Sequence, residues 1–351
     1  MRTLTYSEAV NEAQAQCLEA DSNVYIIGLG APDPKGTFGT TSGLREKFGS
    51  DRVFDMPISE NAVTGMAIGS AITGMRPVLS HQRIDFAITA MEQIVNQAAK
   101  WHFMFGGQSS VPIVIRMIVG RGWGQGPQHS QSLQAMFAHV PGLKVVMPAT
   151  AHDAKGLMIA SIEDNNPVVF IEHRWLHGLN SLVPEEKYSE PLGQCKVIRE
   201  GKDITIVSLS YMTIESLRAA DMLEESGVST EIVDIRTVSP LDWDTIFKSV
   251  SKTGQLLVAD TGSMSFGVSG EVIAKCAEKL FGKIKSPPTR ISLPDSPSPT
   301  SSSLANKYFP RAIDIAELAL SSFGRSLDEK WRKLEDGVYL DIPDPNFTGP
   351  F

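Results

Sequence analysis

Val111-Pro-Ile-Val-Ile-Arg-Met-Ile-Val119 runs straight into Gly120-Arg-Gly-Trp-Gly-Gln-Gly-Pro-Gln-His-Ser-Gln131. The first nine residues read as a strand apolar on both faces, as the middle of a parallel sheet requires. The glycine-rich loop that follows ends in a histidine, and reactive groups collect on such loops. Strand, helix and strand alternate on either side of this stretch. Toward the N-terminus, Asp85 is placed to cap a helix whose Ile88, Met91, Ile94, Val95 and Ala98 follow helical spacing. Before it come strand Pro77-Val-Leu-Ser80 and a helix from Asn61 closed by Gly74. In that helix Ala62, Gly65 and Gly69 leave one face nearly without side chains, open to a close helix or a ligand. Val53-Phe-Asp-Met56 leads into Pro57-Ile-Ser-Glu60, Leu44 to Gly49 is a short helix, and Val24-Tyr-Ile-Ile-Gly28 is a buried strand. Thr5-Tyr-Ser-Glu8 has the capping-box form that starts a helix to about Ala20.

Toward the C-terminus the pattern gives a helix from about Ser130, strand Lys144 to Pro148, helix Ala151 to Ile162 and strand Val168 to Glu172. Trp175 to Gln194 has no clear period and carries Gly178, Pro184 and Pro191, which marks a linker. The alternation then restarts, with strands at 204–208, 230–235, 256–259 and 290–293 and a closing helix from Ala312 to Phe323. The expected fold is α/β, with two doubly wound open-sheet domains at 1–178 and 196–323, a linker at 179–195 and a Pro/aromatic tail at 324–351. The tail's Trp331, Tyr339, Phe347 and Phe351 favour wrapping on its own chain or on a partner over disorder.

The length, 351 residues at 42% hydrophobic, suits two domains. A net charge of −8 argues against a nucleic-acid or membrane-surface binder with a basic face. Cys17, Cys195 and Cys276 form no Cys-x-x-Cys pair, so neither zinc nor a redox centre is indicated and a reducing cytoplasm fits. The start has no apolar core of a signal peptide and no apolar run spans a bilayer.

Three residues stand out as one candidate site. Glu60 sits between a strand end and a small-residue helix, where a carboxylate is either a desolvated acid or a dipole-stabilising cap. Phe86, at a helix start, is a core residue or a platform for a ring. His129 lies in the loop, where an imidazole can serve as acid or base, and His81 beside Gln82 is a second candidate. His139 and His152 read as surface or helix-terminal histidines.

Order and spacing narrow these alternatives. Leu44-Arg-Glu-Lys-Phe-Gly49 with Arg52-Val-Phe-Asp-Met-Pro-Ile-Ser-Glu60, then Ala67-Ile-Gly-Ser-Ala71 with Gly74-Met-Arg-Pro77, then Gln93-Ile-Val-Asn-Gln-Ala-Ala-Lys100, Gln128-His-Ser-Gln131 and Pro141-Gly-Leu-Lys-Val-Val146 resemble the beta subunit of the thiamine-diphosphate-dependent 2-oxo acid dehydrogenases of the pyruvate, branched-chain and acetoin types. The resemblance covers nearly all of Leu4 to Leu320. It implies a transketolase-like pyrimidine-binding domain followed by a transketolase C-terminal-like domain. It implies that Glu60 hydrogen-bonds the aminopyrimidine ring of thiamine diphosphate and promotes the tautomer that deprotonates the thiazolium. Phe86 then packs on the pyrimidine, Gln82 lines it, and His129 stands near the reacting carbon. The segment of Ser161, Asp164 and Asn166 matches a potassium site built from backbone carbonyls.

The Gly-Asp-Gly motif that leads the Mg2+ and diphosphate site is missing, and Asn165-Asn166 before Pro167 reads as a turn. A separate alpha subunit is therefore expected to hold Mg2+ and diphosphate, with the cofactor shared in an α2β2 heterotetramer and a lipoyl-bearing acyltransferase as acceptor. Three departures from the family stand out. Gly28-Leu-Gly-Ala31 lacks the usual acidic residues, and Arg83, Arg121 and Trp123 enter the cofactor loops, where added cations suit a phosphorylated or acidic substrate. The third is the tail beyond Phe323. The competing expectations are a split transketolase-like or acyloin-forming enzyme with an aldehyde or sugar acceptor, and a non-catalytic scaffold.

Overall fold

The computed structural model describes residues 1–122, 124–334, 337–343 and 347. The strands in chain order are β1 (Arg2–Thr5), β2 (Val24–Gly28), β3 (Val53–Phe54), β4 (Arg76–His81), β5 (Val114–Val119), β6 (Lys144–Val146), β7 (Val168–His173), β8 (Asn180–Val183), β9 (Lys196–Arg199), β10 (Ile204–Ser208), β11 (Thr230–Asp234), β12 (Thr237–Ser239), β13 (Leu256–Ser263) and β14 (Thr289–Leu293). The largest sheet has the order β12-β6-β7-β5-β4-β2-β3, the second β14-β13-β10-β11-β9, and β1 and β8 form a two-stranded third. Pairing within the first two is parallel, except that β12 runs antiparallel to β6 and β9 antiparallel to β11. These are the two doubly wound α/β layers that the alternation predicts. No helix of the described residues is long and apolar enough to cross a membrane.

β5 lies between β4 and β7 and is buried throughout. Its Ile115, Met117 and Val119 join the core that holds Ile84, Ile94 and Phe137, whereas Val114 joins the core that holds Leu157 and Phe170. A two-sided apolar strand thus separates two cores, as a covered parallel strand must. Its one charge, Arg116, is neutralised in place by Glu172 at 2.6 Å and also donates to Ser80 Oγ and Thr40 Oγ1. At the N-terminus the capping box forms as written. Glu8 N donates to Thr5 Oγ1 at 3.2 Å, Thr5 N donates to Glu8 Oε2 at 2.8 Å, and the helix Tyr6–Ala20 follows.

The structure departs from the expected elements in several places, β9 and β12 among them, where no strand was expected. The stretch without a period, 179–195, contains β8, which pairs antiparallel with β1 through Arg2 and Val183. A short edge pairing across about 180 residues leaves no periodic trace. The helix expected over Ile88 to Ala98 is instead Ile84–Ala87, a 3-10 turn at Ile88–Ala90, a π turn at Gln93–Ala98 and the α-helix Ala99–Met104. Ile94 and Ala98 are buried under either winding, so apolar spacing does not separate them over so few turns. The helix after the histidine loop starts at Gln134 rather than Ser130, since Gln131 N donates instead to Asp85 Oδ1. Asp85 therefore does not cap its own helix, whose N-cap, Arg83, makes no side-chain capping bond.

The described residues of the tail lie along their own chain, and Phe351 lies outside the described residues. Leu340 N and Asp341 N donate to Asn306 Oδ1, and Phe347 packs against the core beneath the helices Tyr6–Ala20 and Ala151–Glu163.

Candidate active site

Glu60 opens the helix Glu60–Ile72, whose N-cap, Ser59, makes no side-chain capping bond. Its carboxylate is half-buried and, among the described residues, makes no hydrogen bond or ion pair. It faces a cleft of about 300 Å³ lined by Ser59, Glu60, Asn61, Ala62 and Thr89. A capping role would tie the carboxylate to a backbone N–H, and none is bonded to it.

The helix that carries Glu60 is fixed against the segment that carries Phe86. Asn61 Nδ2 donates to Thr89 O at 3.2 Å, and Thr89 Oγ1 donates to Phe86 O at 2.8 Å. Gly65 permits the approach, since a Cβ there would lie 3.0 Å from Gln93 Oε1. The bare helix face thus receives another helix at Gly65, whereas nothing lies within 4 Å of a Cβ at Gly69.

Phe86 is half-buried, and the exposed His129 meets it edge-on, with ring centroids 5.2 Å apart and planes at 87°. His129 ends a 3-10 turn, Pro127–His129, and its N–H donates to Gly126 O at 3.1 Å. Two residues on, Gln131 donates its side-chain amide (2.7 Å) and backbone N–H (3.3 Å) to Asp85 Oδ1. Asp85 therefore locks the histidine loop to the helix of Phe86, one residue away. Glu60, Phe86 and His129 share one continuous hydrogen-bonded frame on an open face. A proton acceptor, a flat apolar surface and an imidazole so held are what binding and protonating a heteroaromatic ring demands.

The remaining candidates have other partners. Gln82 Nε2 donates to Leu29 O at 3.2 Å, and Gly30 N donates to Asp55 Oδ1 at 2.9 Å, which together hold the Gly28-Leu-Gly-Ala31 turn. His81 is buried, contacts Thr64 Oγ1 at 3.4 Å, and is pushed down to about 4 by burial, so it stays neutral at physiological pH. Arg83 is buried and donates to Gly120 O and Gln125 Oε1. Burial, with Arg174 nearby, brings it down to about 10 against the pull of Asp85. Arg121 donates to Pro299 O (2.9 Å) and Thr300 O (2.8 Å) and pairs with Asp341 (3.2 Å). Both arginines thus brace the loop rather than line the cleft. Trp123 lies outside the described residues.

In the segment matched to a potassium site, Ser161 Oγ donates to Leu157 O, and Lys144 and Asn166 hold the Asp164 carboxylate. The carbonyls of Ile162 and Asp164 accept from Arg76 Nη1 at 3.0 and 3.1 Å. Two side-chain cations of this chain already serve that corner.

Sequence reasoning missed Asn61, Thr89 and the locking role of Asp85. The spacing of Asp85 and Gln131, 46 residues apart, carries no signal for a bond that only the fold creates.

Residues 2–178 match the family described as "Transketolase, pyrimidine binding domain", and residues 193–315 match "Transketolase, C-terminal domain". The chain is 43% identical over 328 residues to the acetoin:2,6-dichlorophenolindophenol oxidoreductase subunit beta of Cupriavidus necator, covering 91% of this chain and 97% of that protein. It is 39% identical over 320 residues to the pyruvate dehydrogenase E1 component subunit beta of Bacillus subtilis, covering 91% and 98%. A solved structure titled "Split gene transketolase, inactive beta4 tetramer" superposes with a TM-score of 0.73 at 24% identity, covering 92% of this chain and 98% of that one, which is a likeness of fold. With both domains matched in order and relatives aligned almost end to end, this chain belongs to the transketolase-like beta-subunit family of the 2-oxo acid and acetoin dehydrogenases.

Proposed function

We propose that this chain supplies the pyrimidine-binding half of a thiamine-diphosphate active site in a two-chain enzyme that cleaves the bond next to a carbonyl, in a 2-oxo acid or acetoin, and passes the acyl fragment to a lipoyl carrier. The observation that carries the reading is the unpartnered Glu60 carboxylate at a helix N-terminus, framed with the Phe86–His129 pair. When bound, thiamine diphosphate supplies a carbon nucleophile that stores the cleaved fragment. Glu60 is placed to hold a proton at a ring nitrogen, Phe86 to give the ring an apolar face, and His129 to move a proton or stabilise negative charge beside the reacting carbon. Gln82 takes a supporting part, its amide donating to Leu29 O.

A partner alpha subunit completes the reading. This chain lacks a Gly-Asp-Gly motif for Mg2+ and diphosphate, and Ile58, Met66 and Ile88, 77%, 70% and 39% exposed, leave apolar surface around Glu60 and Thr89 bare in the single chain. We assign that surface to the alpha subunit in an α2β2 assembly. The phosphosugar version is weakened, because Arg83 and Arg121 are committed within the chain. Potassium has no part in this reading, because Lys144 and Arg76 serve the segment in which it was expected. The three cysteines are free, and burial pushes Cys17 and Cys195 up to about 12, which leaves these thiols poor nucleophiles.

The test is turnover by the reconstituted pair with Mg2+ and thiamine diphosphate, offered acetoin, pyruvate or branched 2-oxo acids. Reduction of NAD dependent on lipoyl carrier and dihydrolipoyl dehydrogenase is expected. Aldehyde-dependent product without lipoate would instead establish the acyloin-forming reading, and no turnover with any acceptor would leave the scaffold.

A further inference from the structure

The structure assigns to the C-terminal tail the role of a strap that fixes the loop carrying His129, with Asp341 as its positioning residue. The part of His129 in turnover rests on the reading above; the strap does not.

Arg121 is the second residue of the Gly120–Gln131 loop and is 1% exposed. Its guanidinium donates to Pro299 O and Thr300 O in the second domain and pairs with Asp341 Oδ2 at 3.2 Å. Burying a guanidinium is costly unless it is paired and hydrogen-bonded, and among the described residues Asp341, 5% exposed, is the one carboxylate paired with Arg121, its other acceptors being neutral carbonyls. Asp341 belongs to no helix or strand, and side chains of the second domain hold it in place. Asn306 Oδ1 accepts from Leu340 N (3.0 Å) and Asp341 N (3.2 Å). Arg311 donates to the carbonyls of Leu340, Ile342 and Pro343 at 3.0, 3.0 and 3.2 Å. Farther on, Phe347 lies 4.9 Å from the Arg174 guanidinium, which sits equally close to Phe38. These bonds fasten the tail over the groups that receive Arg121.

From Arg121 the contact continues to the histidine. Thr300, whose carbonyl accepts from Arg121, presses on Gly126 so closely that a Cβ there would lie 2.2 Å from Thr300 Oγ1. Gly126 O in turn accepts the backbone N–H of His129. Beyond the loop, Gln134 Nε2 donates to Asp260 Oδ1 at 2.9 Å, a second anchor in the second domain. Losing Asp341 removes the charge that keeps Arg121 seated and frees the near end of the loop, while the Asp85 and Asp260 anchors persist.

Amide hydrogen exchange on the full chain assembled with its alpha partner tests this. Asp341→Ala and the isosteric Asp341→Asn are expected to speed exchange across 120–131 by about tenfold or more, with Asp341→Glu near wild type. Turnover falls in parallel, through kcat, at unchanged affinity for thiamine diphosphate. Unchanged exchange in both charge-removing variants overturns the strap, as does exchange that rises equally in β10 and β11, which would make the tail a general prop. Faster loop exchange at unchanged kcat keeps the strap and removes His129 from the catalytic reading; His129→Ala reports on that part separately.

Discussion

Glu60→Gln replaces one oxygen with an amide nitrogen at nearly constant volume, so it removes the carboxylate proposed to hold a proton and little else. Turnover of the assembled pair is expected to fall by at least about 10²-fold with the mass of the assembly unchanged, and a full rate would take Glu60 out of the chemistry. Acid behaviour follows from two kinds of buried group. Burial brings His81 down to about 4 and His173 to about 3. The unfolded chain therefore protonates first, at about pH 6.5, so the stability held by these neutral rings is complete above that pH and lost as pH falls toward 4, at roughly 1.4 kcal/mol per unit for each ring. Asp234 has the opposite sign, since burial and then Asp153 raise it to about 7. Its contribution is complete below about pH 4 and lost as pH rises through 7. Asp234→Asn keeps an acceptor for Thr213 Oγ1 and removes that loss, so thermal unfolding should show a clear gain at pH 8 and little at pH 4. Equal gains at both pH values would mean that Asp234 is already ionised in the folded chain.

Among the elements, the turn after β5 tolerates least. Gly120 has φ +83°, and a Cβ there would lie 2.5 Å from the His173 ring. Gly120→Ala should therefore cost about 1–3 kcal/mol, read as a lowered midpoint in urea at unchanged slope. Elements that satisfy themselves locally were legible in the sequence. The Thr5–Glu8 capping box, the two-sided apolar run ending at Val119 and the helix over Ala151–Glu163 each carry their signal within a dozen residues. Elements that exist only by distant pairing were not, as with β1 against β8 and β12 against β6. The site divides in the same way. Glu60, Phe86 and His129 were nominated through the order of matched segments, whereas Asn61, Thr89 and Asp85, which the fold bonds around them, act through contacts that local spacing does not encode.

For the whole molecule, calorimetric titration of thiamine diphosphate with Mg2+ is expected to show binding to the pair with the alpha subunit and none to this chain alone; tight binding to the single chain would reveal a diphosphate site within it. The two domains are joined by more than a linker. Arg121 reaches the second domain, Gln134 bonds Asp260, and β12 leaves the second half of the chain to finish the first sheet. That last loan has a consequence for synthesis. Until residue 239 has emerged from the ribosome, β6 has no neighbour on its outer side, and a growing chain of 200 residues carries an unprotected sheet margin. The first domain released by itself should stick to its own copies through the bared margin of β6.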